Sequence, residues 1–228
     1  MPILQDILCA HQRAFRPVVP INPGKDRLVL LDFTDSNPAL TNELIGDINA
    51  FSDYVTGVIS AKQARYGIGG YGELRGLYRR SEVFDGEEPR RLHLGTDIWG
   101  PAGTAVMAPL AGQVHSFAFN NRLGDYGATI LLRHELEGNL FYTLYGHLNL
   151  AALQGINEGM VIEGGQLIAE FGTPAENGYW PPHLHFQLII DPEGWKGDYP
   201  GVCRLSEKEQ YLKNCPDPDW VLGFNQFI

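Results

Sequence analysis

The sequence predicts a mainly β protein, an antiparallel sheet of sandwich or barrel type, with an N-terminal α-helical extension. Twenty-seven glycines and fifteen prolines among 228 residues favour many turns and short strands over long helices. From about Tyr66 onward, apolar runs recur at short intervals with Gly, Asn or Pro between them: 105–107, 112–114, 128–132, 140–145, 166–169 and 184–190. Clear helical periodicity marks the part before them.

Taken in order, Leu4, Ile7, Leu8, His11 and Phe15 fit one face of a short helix, closed by the proline-containing stretch 17–23. Residues 28–33 read as a strand, followed by a loop through Asn37-Pro38. A helix over 41–64 is predicted by Leu44, Ile48, Phe51, Val55 and Ile59 at helical spacing. Beyond Asp191, four prolines predict an irregular tail with a short helix near 206–213. The resulting division is 1–65 as an extension packing on the core, 66–191 as the β domain and 192–228 as the tail.

Composition sets limits on function. A net charge of −10 argues against sequence-independent binding to nucleic acid or anionic membrane, both of which want clustered cations. No apolar run is long enough to span a bilayer. The N-terminus lacks a positive n-region and a continuous apolar stretch, so the chain as written reads as cytoplasmic, or as periplasmic or extracellular if exported by another route. Cys9, Cys203 and Cys215 form no metal-type pair; free thiols are favoured over a Cys203–Cys215 disulfide.

Chemistry concentrates in three short motifs: His93-Leu-Gly-Thr-Asp97, Tyr145-Gly-His147-Leu148 and His183-Leu-His185-Phe186. On a strand, His183 and His185 must share one face, with Leu184, Phe186 and Leu188 on the other. His93 and Asp97, four apart, also share a face, and Gly95 between them favours an extended segment with Leu92, Leu94, Thr96 and Ile98 turned inward. Imidazole and carboxylate at these spacings suit zinc, and three protein ligands with a position left for water is the catalytic pattern. Taken singly, an HxH pair or an HxxxD pair is more often a polar strand face; the joint occurrence carries the argument.

In the order HLGTD, PAGTAVMAPLAGQV, YGATILLRHE, YTLYGHLN, GMVIEGGQLIAEFG and PPHLHFQ, the stretch from about His93 to Ile190 resembles the lysostaphin/LytM-type zinc endopeptidases, metallopeptidase family twenty-three. The resemblance implies a metallopeptidase β domain of the duplicated hybrid motif type, acting on peptide or peptidoglycan. It implies one Zn2+ held by His93, Asp97 and His185, with His147 and His183 as catalytic imidazoles. Asn37 or Asn49 would be an N-terminal candidate for the fourth zinc position. The bulky loop 172–182 departs from the Gly/Ser/Thr-rich turn of many members and should border the groove, with Trp99, Tyr179 and Trp180 as an aromatic wall. The upstream Gly69-Gly70-Tyr71-Gly72-Glu73 and Tyr78-Arg79-Arg80 look like a variant in which this domain accompanies a larger metabolic enzyme.

Six arginines (Arg65, Arg75, Arg79, Arg80, Arg90 and Arg91) precede the first motif and read as a solvated face paired with Glu73, Glu82, Asp85, Glu87 and Glu88. The alternative is that one or two bind a substrate carboxylate or phosphate. His11, His115 and His134 fit no ligand spacing, though His134 ends a strand that could approach the groove. A biotinyl or lipoyl carrier domain would need a hairpin lysine, and none stands between Lys62 and Lys196. A cupin would need a glutamate after His185, where Gln187 stands. A degenerate, non-catalytic binding or partner-activating module would have lost ligands, and none is lost.

Overall fold

The computed structural model describes residues 3–80 and 88–227. The helices are α1 (Leu4–His11), α2 (Asn42–Gly46), α3 (Ile48–Ala61), α4 (Lys208–Asn214) and α5 (Asp219–Leu222). The strands are β1 (Leu28–Leu31), β2 (Tyr66–Gly69), β3 (Leu92–His93), β4 (Thr96–Trp99), β5 (Ala105–Met107), β6 (Gly112–Asn120), β7 (Gly127–Leu136), β8 (Asn139–Leu148), β9 (Val161–Ile162), β10 (Leu167–Glu170), β11 (His183–Ile189) and β12 (Val202–Cys203). The mainly β class with an N-terminal helix is what the glycine-punctuated runs and the early helical periodicity predict.

Eight strands form one sheet in the order β1-β2-β4-β11-β8-β7-β6-β9. Neighbours are antiparallel except β1 and β2, so the extension adds its strand edge-on to the sheet. Leu184, Phe186 and Leu188 of β11 enter the main core with Ile98, Ile130, Leu132 and Tyr145. Period-2 alternation then leaves His183, His185 and Gln187 on the opposite face. Each buried aliphatic or aromatic side chain of this kind contributes roughly 1.5–3 kcal/mol, so the histidine strand is held by the core behind it.

Two expectations need correction. The single helix over 41–64 is two helices, because Thr41 caps α2 and Asp47 caps α3 by accepting from the amides of Asn49 and Ala50. An N-cap aspartate favours a new helix start over continuation through Gly46. The segment around His93 and Asp97 is also two strands. β3 pairs with β12 of the tail and β4 joins the main sheet. Leu92 and Leu94 therefore pack in a separate cluster with Cys203, Cys215 and Tyr199, while Ile98 enters the main core.

The extension reaches the functional face through aromatic packing. Phe33 lies 5.0 Å from Trp99 and 6.1 Å from Phe51, in a second cluster with Leu31, Ile45 and Val55. All three cysteines are free thiols. Among the described residues, no helix is long and apolar enough to cross a membrane.

Candidate metal centre

Strand register brings the motifs together. His185 faces Asp97 across β11 and β4, and His183 faces Trp99. His93 arrives from β3, one residue pair before the turn at Gly95. That turn requires glycine for space: a Cβ there would sit 2.6 Å from His185 Cε1 and Nε2 and 2.8 Å from the Phe186 carbonyl. We expect Gly95→Ala to push His185 aside and cost roughly 10–100-fold in zinc affinity, the effect of losing an orienting partner. Competition titration against a chromophoric chelator checks it, and unchanged affinity would refute the role given to Gly95.

His93, Asp97 and His185 are all buried. His93 Nε2 lies 3.0 Å from His185 Nδ1, His185 Nδ1 lies 2.9 Å from Asp97 Oδ1, and His93 Nε2 lies 3.3 Å from the same oxygen. The other ring nitrogens fix the tautomers. His93 Nδ1 donates to the Gly70 carbonyl at 2.8 Å. His185 Nε2 donates to Gln187 Oε1 at 2.8 Å, because the Gln187 amide nitrogen is already donating to the Pro200 carbonyl and Cys215 Sγ. Two imidazole lone pairs and a carboxylate oxygen thus converge with no proton between them. A bound cation would relieve that repulsion. Tetrahedral bonds of about 2 Å to one zinc would set ligand atoms roughly 3.3 Å apart, close to these separations, and these three residues form a possible metal-holding group among the described residues.

Charge around the group is arranged rather than left to solvent. Burial pushes His93 down to about 4, and Arg75 adds to the effect. Burial alone would raise Asp97, but its interactions with His93, the Arg75 charge and the His185 hydrogen bond outweigh it and hold the carboxyl well below its usual range. Arg75 donates through Nη1 to Asp97 Oδ2 and to Tyr78 Oη, and through Nε to Glu73 Oε2 at 2.9 Å. Arg75 is 1 % exposed. The solvated-face reading therefore fails for this arginine. Breaking such a buried pair by removing one partner typically costs about 3–5 kcal/mol. Arg65 does lie towards solvent near Asp26, while Arg91 is only partly exposed beside Asp35. Glu82, Asp85 and Glu87 lie outside the described residues, as do the side chains of Arg79 and Arg80.

Beside the ligand group stand His147 and His183, ring centroids 4.1 Å apart. Trp99 stacks on His183 at 3.9 Å and 10°. Strict alternation along β8 would send His147 into the core with Tyr145. A backbone φ of 63° and a register shift opposite Ala128 break the alternation there, and the imidazole comes to the site face. Both rings are anchored by the same loop: His147 Nδ1 donates to the Asn177 carbonyl and His183 Nδ1 to that of Pro181, each at 2.8 Å. Nε2 is left as the basic nitrogen of each. Burial depresses both, His183 to about 4 and His147 also well below its ordinary value, so both rings are neutral at pH 7.

The loop 172–182 thus holds the imidazole pair as well as bordering the cleft. Asn177 ties it together, donating to the Gly172 and Trp180 carbonyls and accepting from the Trp180 amide. The cleft is a cavity of about 300 Å3 whose lining includes Asp97, His147, His183, His185, Trp99 and Trp180. Tyr179 does not line it and points to solvent, a correction to the proposed aromatic wall. Asn37 and Asn49 also fall away: Asn37 donates to the Asp32 carbonyl and Tyr54, and Asn49 is exposed on α3. His134 is buried between the Ala111 carbonyl and Thr143 Oγ1 and does not approach the cavity.

Several site residues carry no motif in the sequence. The tail supplies Trp195, Asp198, Tyr199 and Gly201 as one wall of the cavity. Tyr126 lies over Gly146, where a Cβ would meet its ring at 2.5 Å, and its hydroxyl is 3.3 Å from His185 Nε2. Across the cavity, burial raises Asp125 and Asp198, the latter to about 6 with the charge of Asp125 adding to it.

The sheet thus presents two histidines and an aspartate to one point, a group that could hold a metal ion, with an imidazole pair beside it. Residues 91–196 match the model of Peptidase family M23, a little under half of the chain. The L-Ala--D-Glu endopeptidase of Bacillus subtilis (strain 168) is 36% identical over 132 residues, covering 54% of this chain and 38% of that protein. The chain therefore spans well under half the length of this curated relative. Among solved structures, the catalytic domain of the antimicrobial peptidase lysostaphin from Staphylococcus simulans aligns with a TM-score of 0.40 and 21% identity, over 70% of this chain and 96% of that one. A zinc-containing peptidase from Vibrio cholerae aligns at 0.35 and 27% identity, over 44% of this chain and 28% of that one.

Proposed function

We propose that the chain is a zinc-dependent metallo-endopeptidase that hydrolyses peptide bonds of peptidoglycan cross-links or stem peptides. One observation carries the reading: three unprotonated ligand atoms of His93, Asp97 and His185 converge beside two neutral imidazoles, and Asp97, His185, His147 and His183 line one cavity. The match to a peptidase family and the 36% identity to an L-Ala--D-Glu endopeptidase support the substrate class. Zinc bound there supplies Lewis acidity, which acidifies water to near-neutral pKa and polarises a carbonyl.

The remaining work falls to the chain's own groups. His147 and His183 each present a basic Nε2 within one cleft, with Nδ1 held by a carbonyl. One ring takes the proton of the attacking water at Nε2. Once protonated, it can hydrogen-bond the developing oxyanion or return the proton to the leaving amine. Trp99, backed by Phe33, fixes the plane of His183, so the ring need not reorganise during the reaction. Trp180 and the tail residues wall the cavity, and the deep burial of both imidazoles strengthens these polar contacts.

Incubating zinc-loaded protein with defined muropeptides and with oligoglycine, read by mass spectrometry, tests the proposal. At least one peptide bond should be cleaved, with activity lost to a chelator and restored by zinc. Intact substrates in the presence of confirmed bound zinc would instead favour a non-catalytic module that binds peptide or activates a partner.

A further inference from the structure

The candidate ligand group is not held by the family-matched segment alone. The family match begins at residue 91, yet the carboxylate at its centre is held by Arg75, from upstream of that match. Arg75 takes Asp97 Oδ2 and leaves Oδ1 aimed at His93 and His185. Its own orientation is set by Glu73 on Nε and Tyr78 on Nη1, and Glu73 is fixed in turn by the Phe33 amide at 3.0 Å. Gly69 makes the arrangement possible: a Cβ there would lie 2.5 Å from Arg75 Nη2 and 3.3 Å from Asp97 Cβ. The same upstream segment supplies the Gly70 carbonyl that fixes the tautomer of His93.

We infer that Arg75, locked by Glu73, is a positioning residue for the metal centre, dedicating Asp97 to metal binding through Oδ1 alone. The inference rests on the metallo-enzyme reading above. Its logic is that of an outer-sphere partner: a guanidinium fork sets which carboxylate oxygen is available, a task a point charge cannot do as well. A purely electrostatic role would act in the opposite direction, since a buried cation beside a metal site weakens metal binding. The two readings therefore differ in sign.

The test measures zinc affinity of the full chain by chelator competition, and the ligand-field absorption of the cobalt-loaded protein, for wild type, Arg75→Met, Arg75→Lys and Glu73→Gln. Positioning predicts that Arg75→Met and Arg75→Lys each lose roughly 10–100-fold in zinc affinity. It also predicts altered cobalt absorption as the aspartate becomes free to use both oxygens. Glu73→Gln, which keeps the arginine and removes only its anchor, should shift both readouts in the same direction by less, and it serves where Arg75→Met fails to fold. His134→Gln, a buried histidine away from the site, is the control for general destabilisation and should leave both readouts unchanged. Unchanged affinity and spectra in Arg75→Lys and Glu73→Gln would overturn the inference alone, as would tighter zinc binding by Arg75→Met. Absence of zinc binding by the wild type would overturn it together with the reading beneath it.

Discussion

Replacing His185 with alanine should leave a folded protein that holds no zinc at micromolar free metal and cleaves no peptide. His185 contributes the atom common to both short separations in the ligand group, 3.0 Å to His93 and 2.9 Å to Asp97. Its loss leaves two ligands, one short of the three that a catalytic zinc site uses. The effect must exceed the roughly 10–100-fold cost of losing an outer partner. The fold should persist because the core face of β11 is untouched: Leu184, Phe186 and Leu188 remain buried against Ile98 and Ile130. Metal analysis after dialysis, with far-ultraviolet circular dichroism as the folding check, decides the matter. Full zinc occupancy in the variant would contradict the ligand assignment.

Alternation along a strand is a local rule, so the sharing of one face by His183 and His185 could be read from HLHF, as could the burial of Leu184 and Phe186 on the other. The extended nature of the His93 segment was likewise legible, but its division between two sheets was not, because β3 pairs with a tail strand more than a hundred residues away. Arg75 escaped for a related reason. An arginine among acidic residues looks the same in sequence whether solvated or buried on a ligand carboxylate, and only the fold decides. The available hint was glycine: Gly69, Gly95 and Gly146 each stand where a side chain would collide with Arg75, His185 or Tyr126. His147 needed a left-handed backbone and a register shift to reach the site face, neither of which a periodicity argument contains. Its role came from family resemblance, and its placement from the fold.

The imidazole pair separates binding from turnover. His147→Ala should retain wild-type zinc affinity, because His147 is not among the three converging ligands, yet lose about 10²–10⁴-fold in kcat, the range typical of a positioned general acid or base. His183→Ala should behave similarly with a complication. His183 stacks on Trp99 and sits two residues from His185, so its removal also loosens the indole that Phe33 backs. His183→Gln keeps more of that volume and is the cleaner variant. If the two rings act as a unit, the double variant should cost little more than the worse single one, since each ring works on the same proton. If they act in separate steps, the losses should multiply. Single-turnover cleavage of a defined muropeptide by the four proteins, each with measured zinc content, distinguishes these outcomes. Zinc loss from His147→Ala would move that residue from the proton-transfer pair into the ligand set. Near-wild-type turnover by both single variants would remove the pair from the mechanism.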